Sequence, residues 1–282
     1  MPGRTFLLVF AVALVLAQTC VAATPRARGT SYLLARQQSD GGFAEPSGTS
    51  TSGLTAWVVL GLKANHRSPL NGQAAVDYLS GASTPAATDL ELRLLAEHAL
   101  GQDTTKLAGA LERLRQKSGR IGLALNSTYW GAIALSAAGR KPAQTTTRYI
   151  LRAQRSSGGW SWSASAAPET GDTAAAIQAL RASGTSAGAT SIRRGVRFLR
   201  ARQNKDGGFA VAPGSKSDAQ STAWAIQALL AAGSEPGAKS FRYLRKLQRR
   251  DGSFRYSAEY VTTPAWVTAQ VTCALARKPF PF

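Results

Sequence analysis

Residues 194–209 read Arg194-Gly195-Val196-Arg197-Phe198-Leu199-Arg200-Ala201-Arg202-Gln203-Asn204-Lys205-Asp206-Gly207-Gly208-Phe209, and this unit recurs along the chain. An aromatic-aliphatic pair is followed by Gln five residues after the aromatic, Gly four after the Gln, and a second aromatic two after the Gly. The same offsets hold for Tyr32, Gln37, Gly41 and Phe43, for Tyr149, Gln154, Gly158 and Trp160, and for Tyr243, Gln248, Gly252 and Phe254. Four copies with the same spacing define a repeat protein.

Each position of the unit has a physical reading. The apolar pair flanked by Arg or Lys makes one apolar and one charged stripe, as in a helix lying on a core, so it predicts an outer helix. Asp40-Gly41, Ser157-Gly158, Asp206-Gly207 and Asp251-Gly252 are expected to end that helix, Gly as a left-handed cap and Asp as a local turn former. The following aromatic is expected to fold onto the interior, and the Gln to satisfy loose backbone groups of an adjoining helix end. Behind each turn comes a segment apolar nearly all round, opening at Thr55, Thr173, Thr222 and Pro264. These predict inner helices, two of them stopped at Gly184 and Gly233.

Between 64 and 144 the pattern weakens. Residues 75–79 and 90–95 are expected as an outer and an inner helix, and Leu107, Leu111 and Leu114 lead to Gln116 and Gly119, one residue short of the full spacing. Six pairs result, near 28–64, 74–100, 106–139, 145–184, 192–233 and 238–277. Open arrays need atypical, polar-faced end repeats. Here the first and last copies are among the best formed, so the last is expected to pack on the first. The fold is expected to be all-α, a closed (α/α)6 toroid forming a single domain over 24–282.

Residues 1–23 carry Arg4, an apolar run from Phe6 to Ala17 and the small-residue ending Val21-Ala22-Ala23, the layout of a signal peptide cleaved after Ala23. The mature protein is then expected to be secreted and not to span a membrane; a lipid anchor on Cys20 and an uncleaved anchor are the alternatives. Cleavage leaves Cys273 as the one remaining cysteine, best read as a small buried hydrophobe. The net charge of +19 fits basic faces on outer helices, with association to an anionic cell-wall polymer as the functional alternative; dense runs of the kind found in nucleic-acid-binding tails are absent.

The repeat resembles the QW-type motif of the terpenoid cyclase and protein prenyltransferase superfamily, whose alpha-alpha toroid fold the resemblance implies for nearly the whole mature chain. The superfamily's chemistries can be tested residue by residue. The Asp-x-Asp-Asp acid of protonating cyclases is absent, since the aspartates stand apart from one another. A prenyltransferase zinc site needs Asp, Cys and His ligands, yet the histidines are His66 and His98 alone and Cys273 has no Asp two residues before it, so no metal is expected. The thioester sequence Cys-Gly-Glu-Gln and the Gly-x-Ser-x-Gly elbow are also absent.

Two candidate sites remain. Glu169 and Asp218 each stand four residues before an inner-helix Thr, with Asp172 immediately before its helix; they are weak catalytic candidates for acid/base hydrolysis, against a reading as helix-start or loop acids. Trp57, Trp130, Trp224 and Trp266 recur early in inner helices and are candidates to line an aromatic ligand cavity, against a reading as repeated core. The functional expectation is a toroid without its family's catalytic signatures and without a cofactor, binding an apolar or isoprenoid-like molecule or a surface polymer. An atypical cyclase or prenyl-group enzyme, and a corrinoid carrier resembling transcobalamin-like barrels, are the alternatives.

Overall fold

A computed structural model describes residues 23–84 and 86–282; the expected signal peptide through residue 22, with Cys20, lies outside the described residues. Six outer helices, α1 (Pro25–Leu34), α3 (Gly72–Gly81), α5 (Thr105–Arg113), α7 (Gln144–Arg152), α9 (Thr190–Arg200) and α11 (Ala238–Lys246), alternate with six inner ones. The inner helices are α2 (Ser52–Ala64), α4 (Ala87–Ala99), α6 (Leu125–Ala137), α8 (Thr170–Ala182), α10 (Ala219–Ala231) and α12 (Pro264–Leu275). Each inner helix packs on the inner helix before and after it, α12 returns onto α2, and α1 packs on both α12 and α2. The ring is therefore closed.

Composition sorts the two layers. On α8, Ala174, Ala175, Ala176, Ile177, Ala179 and Leu180 are all fully buried, because small residues let neighbouring inner helices approach on every side. On α9 burial is confined to Ile192, Gly195, Phe198 and Leu199, the single stripe of an amphipathic helix.

The Asp-Gly pairs do not cap the outer helices. α1 ends at Ala35, in right-handed conformation, and Gly41, at φ 87°, lies six residues further on at the tip of a hairpin in which Gln37 bridges Phe43. Asp40 accepts the Gly42 N–H there, and Asp206 and Asp251 do the same for Gly208 and Ser253. The glycine is needed for a second reason. A Cβ on Gly41 would lie 2.2 Å from the Ala74 carbonyl oxygen, in the first turn of α3.

α12 starts at Pro264 as expected, but the other inner helices start earlier. Thr55, Thr173 and Thr222 lie in the first turn, not at the start, and their hydroxyls accept the N–H of Phe43, Trp160 and Phe209 at 2.8–2.9 Å. Thr128 and Thr268 do the same for Ile121 and Phe254. This bond fixes each hairpin to its inner helix. It also corrects the reading of the third repeat: Arg115 bridges Ile121 just as Gln37 bridges Phe43, so the spacing is complete, with Arg in the Gln place and Ile in the aromatic place. The hairpin before α10 is extended by a two-residue ladder, β1 (Phe209–Ala210) with β2 (Ser217–Asp218).

The hairpin glutamines join neighbouring repeats. Gln37 donates to the Asn71 carbonyl and accepts from the Asn71 N–H before α3; Gln154 reaches the Ser191 carbonyl, and Gln203 the Ser240 hydroxyl. Gln248 donates to the Pro25 carbonyl at 2.7 Å, so the sixth repeat holds the first in the same way. The inner helix N-termini follow the same rule: Trp162, Val211 and Tyr256 carbonyls accept from α6, α8 and α10, each from the next repeat. At the seam the Glu45 carboxylate does this for α12, accepting from Ala265 and Trp266 at 2.9 Å each.

The inner helices stop as expected at Gly184 (φ 89°) and Gly233 (φ 67°), but His66 (φ 56°) and Arg277 (φ 58°) hold the same place after α2 and α12. Cys273 is a free, fully buried thiol.

Glu45→Ala leaves two helix-end N–H groups without a partner and should lower unfolding free energy by about 1–2 kcal/mol in urea melts. Deleting residues 25–64 should abolish the cooperative transition altogether, as checked by circular dichroism and calorimetry; a soluble remainder with a sharp transition would contradict a closed ring.

Candidate functional site

All six inner helices present their N-termini at one mouth of the ring. A cavity of about 250 Å³ opens there, lined by Trp57, Trp130, Trp224 and Trp266 together with Thr88, Glu91, Leu92, Asn126, Gln220 and Gln270. Trp57 and Trp130 meet edge to face with centroids 5.5 Å apart, Trp224 lies 5.2 Å from Trp130, and Trp266 lies 6.1 Å from Trp57. Such spacings are those of a mutually packed aromatic cluster. Trp57 and Trp130 are buried while Trp224 and Trp266 are partly exposed, so the first pair forms the floor and the second the wall.

Register separates Trp266 from the others. Trp57, Trp130 and Trp224 each stand two residues after the Thr that holds the hairpin, whereas Trp266 stands two before Thr268; Gln270 occupies the expected tryptophan place. The indole still reaches the cluster because Gly53 faces it, with Trp266 3.5 Å from where a Cβ on that glycine would lie. Gln220 donates to Gln270 at 2.8 Å across the mouth.

The far end of the lumen is closed by the chain's own last residues. Phe280 packs on Trp57 and Trp130 at 6.0 and 5.5 Å. The buried Gln178 accepts the Phe280 N–H at 2.8 Å, and the buried Gln227 donates to the Lys278 carbonyl at 2.8 Å. Among the described residues the ring interior is thus a cup with a tryptophan floor backed by Phe280.

Glu91 is the group that the sequence reading passed over. It is wholly buried at the edge of the cup, and neither carboxyl oxygen has a hydrogen-bond partner among the described residues. Burial raises its pKa well above the usual carboxylate range, with Asp89 adding in the same direction, so the fold favours its neutral form. The available signal was an acid inside the otherwise apolar stretch Leu90-Glu91-Leu92. Asn126, Gln220 and Gln270 were also overlooked, although their places relative to Thr128, Thr222 and Thr268 mark them as facing the lumen.

The mouth acids occupy an adjoining pocket of about 200 Å³ lined by Glu169, Asp172, Asp218, Asn126, Gln220, Trp224 and Tyr256 among others. Glu169 and Asp218 are the N-cap residues of α8 and α10. Asp218 accepts the Ser221 N–H at 2.7 Å, a structural role, while burial raises its carboxyl against the effect of that bond. Asp172 is not before its helix but the third residue within α8. Burial lifts it to about 7, the Asn126 amide, 2.6 Å away, works against this, and Glu169 adds to it. Its second oxygen has no partner. Beside the mouth a wider groove of about 770 Å³ includes the exposed Leu114, Leu123 and Trp162.

His66 and His98 lie at the opposite face, with Lys63, Lys278 and Phe282. Among the described residues no cluster of three metal-ligating side chains occurs, and no helix is long and apolar enough to cross a membrane.

Two family models match the chain: the prenyltransferase alpha-alpha toroid domain over residues 34–209 and the squalene-hopene cyclase C-terminal domain over residues 140–281. Solved structures with the same fold include a protein from Actinoplanes, at 20% identity and TM-score 0.66, covering 90% of this chain and 98% of that one. The type II terpene cyclase MstE from Scytonema aligns at 18% identity and TM-score 0.65, covering 89% of this chain and 96% of its own. A glycosidase variant solved with glucose aligns at 10% identity and TM-score 0.65, covering 90% and 95%. No curated protein matches in sequence.

A raised carboxyl pKa binds its proton more tightly in the folded state, so its contribution is intact below the ordinary glutamate value of 4.5 and is lost as pH rises above it. Unfolding free energy should therefore fall more steeply from about pH 4.5 to 7 in the wild type than in Glu91→Gln, by at most ~1.4 kcal/mol per pH unit, with the difference constant below that window. Parallel profiles in urea titrations would show that Glu91 ionises normally in the fold.

Proposed function

The chain belongs to the terpenoid cyclase and protein prenyltransferase superfamily of alpha-alpha toroids, and from that premise we propose that it acts as a secreted toroid holding a short apolar, isoprenoid-like molecule in the mouth cup. The carrying observation is the cavity of about 250 Å³ on a tryptophan floor. An apolar cavity of ~150 Å³ accommodates benzene, so by the same scale the cup suits about ten heavy atoms, and more if a ligand extends into the adjoining pocket. Apolar carbon would rest on Trp224 and Trp266, and a hydroxyl or carbonyl would pair with Glu91, Asn126, Gln220 or Gln270. A corrinoid is far larger than the cup and would have to lie across the mouth.

A second reading, an atypical cyclase, is favoured by one observation: Glu91 is a buried carboxyl without a partner among the described residues, its proton affinity raised by burial, beside the aromatic floor, though not in the superfamily's Asp-x-Asp-Asp setting. The hydrolase reading is weaker, because Asp218 is engaged as a helix cap.

Geraniol and farnesol should quench the tryptophan fluorescence saturably, and Trp224→Ala should weaken binding about tenfold while keeping the wild-type circular dichroism, given ~1.4 kcal/mol per tenfold. Unchanged affinity in the variant, or saturable binding of cobalamin but of neither alcohol, would overturn the isoprenoid reading. Mass spectrometry of the incubated ligands separates carrier from enzyme: a rearranged product lost in Glu91→Gln would establish the cyclase.

A further inference from the structure

We propose that the outer wall formed by α7, α9 and α11 is a docking surface for a linear polyanion, a polymer bearing phosphate or carboxylate groups along an extended backbone. The inference is independent of the mouth cup. These three helices are consecutive around the ring, joined by Gln154 to the Ser191 carbonyl and by Gln203 to the Ser240 hydroxyl. Together they contain eight arginines, two lysines and no acidic residue.

The basic residues are ordered. Arg148 and Arg152 on α7, Arg193 and Arg197 on α9, and Arg242 and Arg245 on α11 are all exposed, and within each helix they stand three or four residues apart. That places one cation on each turn, ~5–6 Å from the next. None of them forms an ion pair among the described residues. The neighbouring carboxylates are engaged elsewhere: Asp206 and Asp251 hold hairpin N–H groups, and Glu235 pairs with Arg277.

The fold does not require this charge. α3 fills the same structural place with Gly72–Gly81 and carries no basic residue. Helix-dipole compensation explains cations in a last turn, such as Arg152 and Arg245, but not Arg193 in the first half of α9 or Arg242 at the middle of α11. Uncompensated like charge raises the free energy of the compact state, and binding an anion relieves it. A convex wall can be followed by a flexible polymer, whereas a flat lipid surface meets only part of it. The exposed large apolar side chains, Leu70, Leu114, Leu123, Trp162, Tyr260 and Val261, all lie outside these helices, so the wall lacks the apolar anchors of an interfacial helix.

The test compares two variants of equal net charge. Arg148→Gln/Arg197→Gln/Arg245→Gln removes one cation from each wall helix; Arg26→Gln/Lys106→Gln/Lys117→Gln removes three exposed cations elsewhere. Binding to poly(glycerol phosphate) and to polygalacturonate is measured by calorimetry across a salt series. The wall variant should bind at least one polymer about tenfold more weakly, with a log affinity against log salt slope reduced by about 2, while the control stays within about twofold. Which polymer responds identifies a phosphate or a carboxylate source. Equal loss in both variants, no saturable binding to either polymer, or tighter binding to phosphatidylglycerol vesicles than to both polymers per anionic group would overturn the proposal. Trp224→Ala should bind the polymer like the wild type, which keeps this outcome separate from that of the cup.

Discussion

The hydrogen bond from one repeat's hairpin glutamine to the start of the next outer helix is the constraint on which this ring depends. Each repeat has backbone groups at its helix ends that it does not satisfy itself. Gln37, Gln154, Gln203 and Gln248 supply them from the preceding repeat, and carbonyls or the Glu45 carboxylate from the following repeat complete the inner helix N-termini. Where repeats are joined in this way, an open end would leave helix-end groups without the partners that the neighbouring repeat supplies. Closure of α12 on α2 removes both ends at once.

Closure also decides where chemistry can occur. Outer and inner helices alternate with short hairpins, so all inner N-termini gather at one mouth and their partial positive ends converge on it. Acids at Glu169, Asp172 and Asp218 suit that field, yet two of them are buried, and burial lifts Asp172 and Asp218 above their usual range. Glu91 lies deeper, where the indoles and inner helix backbones exclude water and no donor approaches either oxygen. Polarity is thus graded from acids at the mouth to a single buried carboxyl beside an apolar floor. The outside of the ring is graded too, with cations gathered on α7, α9 and α11 and none on α3.

Much of this was legible in the repeat unit. The offsets from Tyr32 to Phe43 and their three copies, the two kinds of segment and the quality of the end repeats point to a closed all-α ring. Local chemistry was less legible where two structural roles share one residue type. Asp-Gly suits both a helix stop and a hairpin tip, and only the bridge of Gln37 to Phe43 selects the hairpin. Threonine suits both a helix start and a first-turn acceptor, and only the Phe43 N–H selects the acceptor. Trp266 looked equivalent to Trp57, but a register judged from the start of the apolar segment is one helical turn away from the register set by Thr268.

The sequence by itself determined the repeat, the layer to which each helix belongs and the closure of the ring, because apolar periodicity and fixed offsets are properties of neighbours along the chain. The tertiary structure alone decided that four tryptophans from different repeats meet in one cluster and that Phe280 closes the ring behind them. It also decided that neither Glu91 oxygen has a partner among the described residues and that six exposed arginines without an ion pair there stand together on α7, α9 and α11. These are relations between residues tens to hundreds of positions apart. Distance, burial and pKa at such a site depend on which side chains the closed ring brings together, and no spacing along the chain encodes that.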